Sequence, residues 1–276
     1  MKKYSLVALF SLVLASFPSL SNAERVITLG GPVTEIAFAL GAGPRIVAVD
    51  QSSLYPEAAR DLPQVGYVGA IGAEGVLSMN PTLIIATTRL GPPSAVSQLE
   101  NSEIPLVLVP NPNDLASLRN AIDQIASALA LEDAADRLWS GIAGDIRSLQ
   151  SLSESAEPPR VAFIMGNNGI PLAAGADTQA AGMIGIAGGQ NVFTGYNGYK
   201  PVSEEAILTA APDIILIASH QPAEGADPLE RLRDLGLTTV ARTRSGRVFL
   251  IDLSTFLSFG PRTGDAAREL ARLFYP

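Results

Sequence analysis

Short unbroken apolar runs alternate with stretches whose apolar positions recur every three or four residues, and this alternation organises the chain from residue 25 onward. The runs over 25–29, 45–50, 82–86 and 105–110 are rich in Val, Ile and Leu, and each is four to six residues long. Runs of that kind are strands buried on both faces. Between the first two lies a predicted helix over 32–40, with Pro32 in its first turn and Gly41 as its stop. A shorter helix over 72–79 ends at Asn80-Pro81. In the middle of the chain the spacing becomes helical throughout. Leu115, Leu118, Ile122, Ile125 and Leu129 follow a capping residue, Asn113 or Asp114. Ala135, Leu138, Ile142, Ile146 and Leu149 then mark one face of a long helix starting near Glu132. Serines, acids and two prolines over 151–159 break the pattern, and the alternation resumes. It predicts a strand over 160–165, a glycine-rich loop over 166–175, helices over 178–187 and 203–211, strands over 213–218 and 247–252, and a last helix over 264–273. Strand–helix alternation implies an α/β fold with parallel-rich sheets.

The two halves are alike. Ala73-Glu-Gly-Val-Leu-Ser-Met-Asn-Pro-Thr-Leu-Ile-Ile-Ala86 aligns without a gap on Glu204-Glu-Ala-Ile-Leu-Thr-Ala-Ala-Pro-Asp-Ile-Ile-Leu-Ile217, 131 positions later. The match sets Glu74 against Glu205 and Pro81 against Pro212. Arg45-Ile-Val-Ala-Val-Asp50 is echoed by Arg247-Val-Phe-Leu-Ile-Asp252. The expectation is two similar α/β lobes, 24–130 and 157–276, joined by a long helix and linker over 131–156. A cleft between lobes is a preferred place for a ligand.

The first 23 residues have their own pattern: Lys2-Lys3, an apolar stretch from Leu6 to Phe17, and small residues at Ser21-Asn22-Ala23. That is the plan of a secretory signal peptide over 1–23, too short for a good membrane span. With no cysteine, lipid anchoring after the signal, disulfides and thiolate metal sites are all excluded. The expected product is exported, unanchored and periplasmic. Its formal charge is −8 for the whole chain and more negative without the two lysines. A protein this acidic lacks the basic stripe that nucleic acid requires.

Candidate chemistry centres on Ser52-Ser53-Leu54-Tyr55-Pro56, which follows a predicted buried strand. In open α/β sheets ligands collect where loops leave the carboxyl ends of strands. A tyrosine there offers a phenolate, a hard oxygen donor of the kind that holds ferric haem in catalase. It is equally compatible with a ring packed at a loop edge. No Gly-x-Ser-x-Gly elbow, Walker loop or dinucleotide fingerprint occurs. One histidine and no cysteine leave little material for a catalytic constellation, so an enzyme is not expected.

Taken in order, several strings resemble the substrate-binding proteins of ABC importers for metal chelates, the receptors for cobalamin, ferric siderophores and haem. Arg25-Val-Ile-Thr-Leu-Gly-Gly31 and the helix after it look like the family's opening. Ser53-Leu-Tyr-Pro56, Val65-Gly-Tyr67, Ala73-Glu-Gly-Val-Leu-Ser78, Gly198-Tyr-Lys-Pro201 and Phe259-Gly-Pro-Arg-Thr263 look like its haem-binding branch. The resemblance implies a monomeric receptor that captures haem and delivers it to an inner-membrane ABC permease with its ATPase. A siderophore or cobalamin is the alternative cargo. It implies Tyr55 as the iron ligand, and Glu74 and Glu205 as the lobe-tip carboxylates that dock on the permease. Asn167 stands where some members carry a ligating histidine, so five-coordinate iron is expected. Haem also requires cations for its carboxylates and for the phenolate. Arg262, Arg89 and Lys200 are the candidates, with Tyr67 and Tyr199 as rings to stack on the porphyrin. The lone histidine, His220, follows a predicted strand and is a further candidate ligand.

Overall fold

A computed structural model describes residues 24–276 apart from 154–156, 220–224, 244–246 and 258. The expected signal peptide over 1–23 and His220 therefore lie outside the described residues. The chain starts with β1 (Val26–Leu29), α1 (Gly31–Ala39), β2 (Ile46–Val49) and a short helix α2 (Glu57–Arg60). A small hairpin, β3 (Gly66–Tyr67) and β4 (Ala70–Ile71), precedes α3 (Ala73–Leu77). Then come β5 (Leu83–Thr87), α4 (Pro93–Glu100) and β6 (Leu106–Val109). Strands β2-β1-β5-β6 form an all-parallel sheet in that order. Its centre, β1 and β5, is wholly buried, as their unbroken apolar runs require.

The helical middle follows its periodicity. Asp114 caps α5 (Leu115–Leu129): its carboxylate accepts the Ser117 N–H at 2.7 Å, while the Ser117 hydroxyl accepts the Asp114 N–H at 3.1 Å. The helix ends at Ala130 with φ 54°, and α6 (Glu132–Ser153) begins two residues later. The second half contains β7 (Arg160–Asn167), β8 (Ile170–Ala174), α7 (Gln179–Ile186), β9 (Gln190–Asn191), β10 (Tyr199–Pro201), α8 (Glu204–Ala210) and β11 (Ile214–Ser219). It closes with α9 (Pro228–Asp234), α10 (Thr238–Thr243), β12 (Val248–Asp252), α11 (Leu253–Phe256) and α12 (Thr263–Phe274).

The second sheet, β10-β8-β7-β11-β12, is mixed rather than parallel throughout. Strands β7, β11 and β12 are parallel, but β8 turns back on β7 and β10 on β8. The expected glycine-rich loop over 166–175 is thus largely a β-hairpin. Its turn is Asn168-Gly169, both at positive φ (49° and 79°), the conformation a two-residue hairpin demands.

Three apolar clusters are found among the described residues. One lies on the outer face of each sheet, around Ile27, Ile84 and Leu99 in the first half and around Ile164, Ile217 and Leu232 in the second. The third is continuous between the halves: it runs from Val33, Ile36 and Ile85 through Ile122, Ile125 and Ile142 to Phe163, Leu216, Phe259 and Leu270. Helices α5, α6 and α12 therefore do more than connect; they are the interior that both sheets share. No helix among the described residues is long and apolar enough to cross a membrane.

Candidate functional site

A cavity of about 600 Å³ opens between the sheets. Its walls are the segments that leave the carboxyl ends of strands: Gly30 and Gly31 after β1, Ser52, Leu54 and Tyr55 after β2, Arg89 after β5, Asn111 after β6 and Asp252 at the end of β12. This is the ligand position of an open α/β sheet, doubled by facing two lobes. The volume falls within the range of small-molecule sites.

Tyr55 stands at the mouth, 47% exposed, on the loop between β2 and α2. The Arg262 guanidinium lies 4.0 Å from the centroid of its ring. Arg262 immediately precedes α12, where a cation opposes the helix dipole. Glu35 on α1 offsets this with a two-pronged pair, receiving Nε at 2.9 Å and Nη2 at 2.7 Å. Hydrogen bonding to Glu35 holds the Arg262 pKa above its usual value, against the opposing effect of burial. Tyr55, Arg262 and Glu35 thus form one cluster drawn from three elements and both lobes.

The β3–β4 hairpin brings Tyr67 to the same cavity, 52% exposed, with Val68 and Gly69 beside it. Arg89 is exposed on the wall and has no carboxylate within 4 Å among the described residues. Two other expected residues are placed elsewhere. Tyr199, on β10, packs its ring 6.2 Å from Phe163 in the shared core, and burial raises its pKa. Lys200 lies outside the cavity lining, its Nζ 5.0 Å over the Tyr196 ring. Only the backbone of Asn167 is described, paired with Ile170 at the hairpin end. Glu74 and Glu205 are both exposed in the first turns of α3 and α8. Their neighbour Glu204 is not comparable: burial raises its pKa, but the N–H groups of Thr239 and Val240 outweigh this and leave it lowered.

The sequence pattern that defines the periplasmic binding protein family matches residues 26–253. The chain belongs to that family. As a periplasmic binding protein it has the part of a substrate receptor in ABC-type uptake. Its fold is that of the periplasmic heme-binding protein RhuT from Roseiflexus sp. RS-1, in apo form, at TM-score 0.81 and 34% identity, covering 92% of this chain and 98% of that one. The heme-binding protein BhuT in complex with two hemes is similar at TM-score 0.80 and 36% identity, over 91% and 98% of the two chains. A vitamin B12-binding protein of Yersinia pestis is 28% identical over 200 residues, 72% of this chain and 71% of that protein.

Several cavity residues of this periplasmic binding protein lacked an obvious mark in the sequence. Glu35 did carry one: a lone acid within the apolar helix over 32–40, where a buried charge requires a partner. Arg60, whose Nε donates to the Leu54 carbonyl at 2.8 Å, steadies the Tyr55 loop from α2. Gln179 and Leu257 have no comparable signal.

Proposed function

We propose that the protein is a periplasmic haem receptor that takes up ferric haem in the interlobe cavity and hands it to an ABC permease. The observation that carries this is the half-exposed Tyr55 under the Arg262 guanidinium, at the mouth of a cavity between two lobes. A phenol must lose its proton to bind Fe(III), and the Arg262 guanidinium lies against the ring that would carry the resulting charge. Arg262, held over the Tyr55 ring by its pair with Glu35, is the cation assigned to the phenolate. Arg89, without a carboxylate partner among the described residues, is the cation for a propionate. Tyr67 supplies a second aromatic face for the porphyrin. Glu74 and Glu205, exposed and 131 positions apart in matching helices, are the docking carboxylates.

The test is an absorption titration of the purified protein with hemin, then with a ferric siderophore and with cobalamin. Wild type is expected to bind hemin with a phenolate-to-iron charge-transfer band, and Tyr55→Phe to fold normally but lose that band. A spectrum unchanged by Tyr55→Phe would remove Tyr55 as ligand. Preferential binding of cobalamin, the ligand named for the Yersinia relative, would overturn the haem assignment.

A further inference from the structure

Asp50 follows β2 with no solvent exposure, yet it stays outside the cavity. A carboxylate at that depth requires its lone pairs to be filled. Four donors fill them. One oxygen accepts the Gly30 N–H at 2.8 Å and the Ser53 hydroxyl at 2.6 Å; the other accepts the Ser52 N–H at 2.9 Å and the Ser52 hydroxyl at 2.6 Å. Around this centre the Gly31 N–H donates to the Ser52 hydroxyl oxygen at 3.2 Å. Thr34 Oγ1 lies 2.7 Å from Ser53 Oγ and 2.8 Å from Thr28 Oγ1. Glycine is needed at position 30 for two reasons: φ is 111°, and a Cβ there would come within 2.7 Å of the Thr87 side chain.

The donors come from two segments, Gly30 and the Ser52–Ser53 pair more than 20 positions later, and each segment leads to one half of the site. Gly30 and Gly31 open α1, which carries Glu35 and, through it, Arg262. Ser52 and Ser53 begin the loop that ends in Tyr55. One carboxylate therefore sets the separation between the Tyr55 ring and the ion pair that covers it. An apolar side chain at the end of a buried strand would need none of these partners, so the polar cluster specifies loop geometry. We propose that Asp50 is a positioning residue for the Tyr55 phenolate, resting on the haem assignment above. It acts through Ser52, Ser53 and the Gly30–Gly31 turn, and touches no ligand itself.

The experiment is a cycle of hemin titrations on wild type, Asp50→Asn, Tyr55→Phe and the double variant, with circular dichroism of each. Asn keeps the shape but turns one acceptor into a donor facing donors. Asp50→Asn should shift or weaken the charge-transfer band and lower hemin affinity by about 10–100-fold, the usual effect of losing a group that orients a metal ligand. In the Tyr55→Phe background the same change should lower affinity no further. An equal loss in both backgrounds, or an unaltered band in Asp50→Asn, would overturn the proposal and leave the network a fold element. Absence of the band in wild type would instead defeat the haem assignment. Should Asp50→Asn fail to fold, Ser53→Ala, which removes one donor and keeps the carboxylate, is put through the same cycle with the same criteria.

Discussion

Glu35→Gln is the sharpest probe of how the lobes are held at the cavity. Glu35 is 7% exposed and the Arg262 side chain 23%, so the pair is mostly out of water yet not fully sealed. Removing one partner of a fully buried pair costs about 3–5 kcal/mol, because the survivor keeps its charge without compensation. Here the guanidinium retains some contact with water, and glutamine keeps one acceptor oxygen for it. Both reduce the loss to about 2–3 kcal/mol, which for a chain of this size lowers the melting temperature by about 4–10 °C. The assay is calorimetry of the ligand-free mature protein, run beside Arg262→Met and the double variant. The pair is direct, so the two single effects should overlap heavily rather than add. A Glu35→Gln melting temperature equal to wild type, or strict additivity, would refute the reasoning and reduce the bridge to a surface contact.

Two further outcomes follow from groups described above. Glu74→Arg and Glu205→Arg should each leave hemin titrations unchanged while impairing reconstituted uptake, the double change most of all, since like charges across an interface cost several kcal/mol; full transport by the double variant, or lost hemin affinity, would end the docking assignment. At Asp114 the Ser117 hydroxyl, and then the Ser117 N–H, hold the carboxyl below its usual pKa. A depressed folded pKa stabilises above the usual carboxylate value and loses that contribution as pH falls through the folded one. Melting curves of Asp114→Asn should therefore fall less steeply than wild type below about pH 4, and parallel acid limbs would refute it.

How much of this was legible depends on whether a residue's signal is local. Strands β1, β5, β6 and β11 are short runs dominated by Val, Ile and Leu, and α5 carries both its cap and its periodicity, so these are plain from spacing. The β7–β8 hairpin was readable only through Asn168-Gly169; the surrounding glycines drew the stretch toward a loop. Strands β8 and β10 are held by pairing with partners, which no window of sequence displays. At the site, Tyr55 is marked by its loop and proline, and the structure brings Arg262, Arg89 and Tyr67 to the same cavity. Tyr199 and Lys200 are adjacent in sequence and on opposite faces of one strand, so at most one could have faced a given surface. The Glu35–Arg262 contact joins positions 227 apart, and only the third dimension reveals it.

The interior common to both sheets has a mechanical meaning. Proteins that swing open around a ligand do so across a seam that water can enter, whereas here Ile122 of α5, Ile142 of α6, Leu270 of α12 and Phe259 just before α12 fill that seam at almost no exposure. Parting the halves would wet that apolar surface, at about 25 cal/mol for every Å² uncovered. That cost, carried by one continuous interior, opposes any separation of the halves and favours a fixed spacing between them.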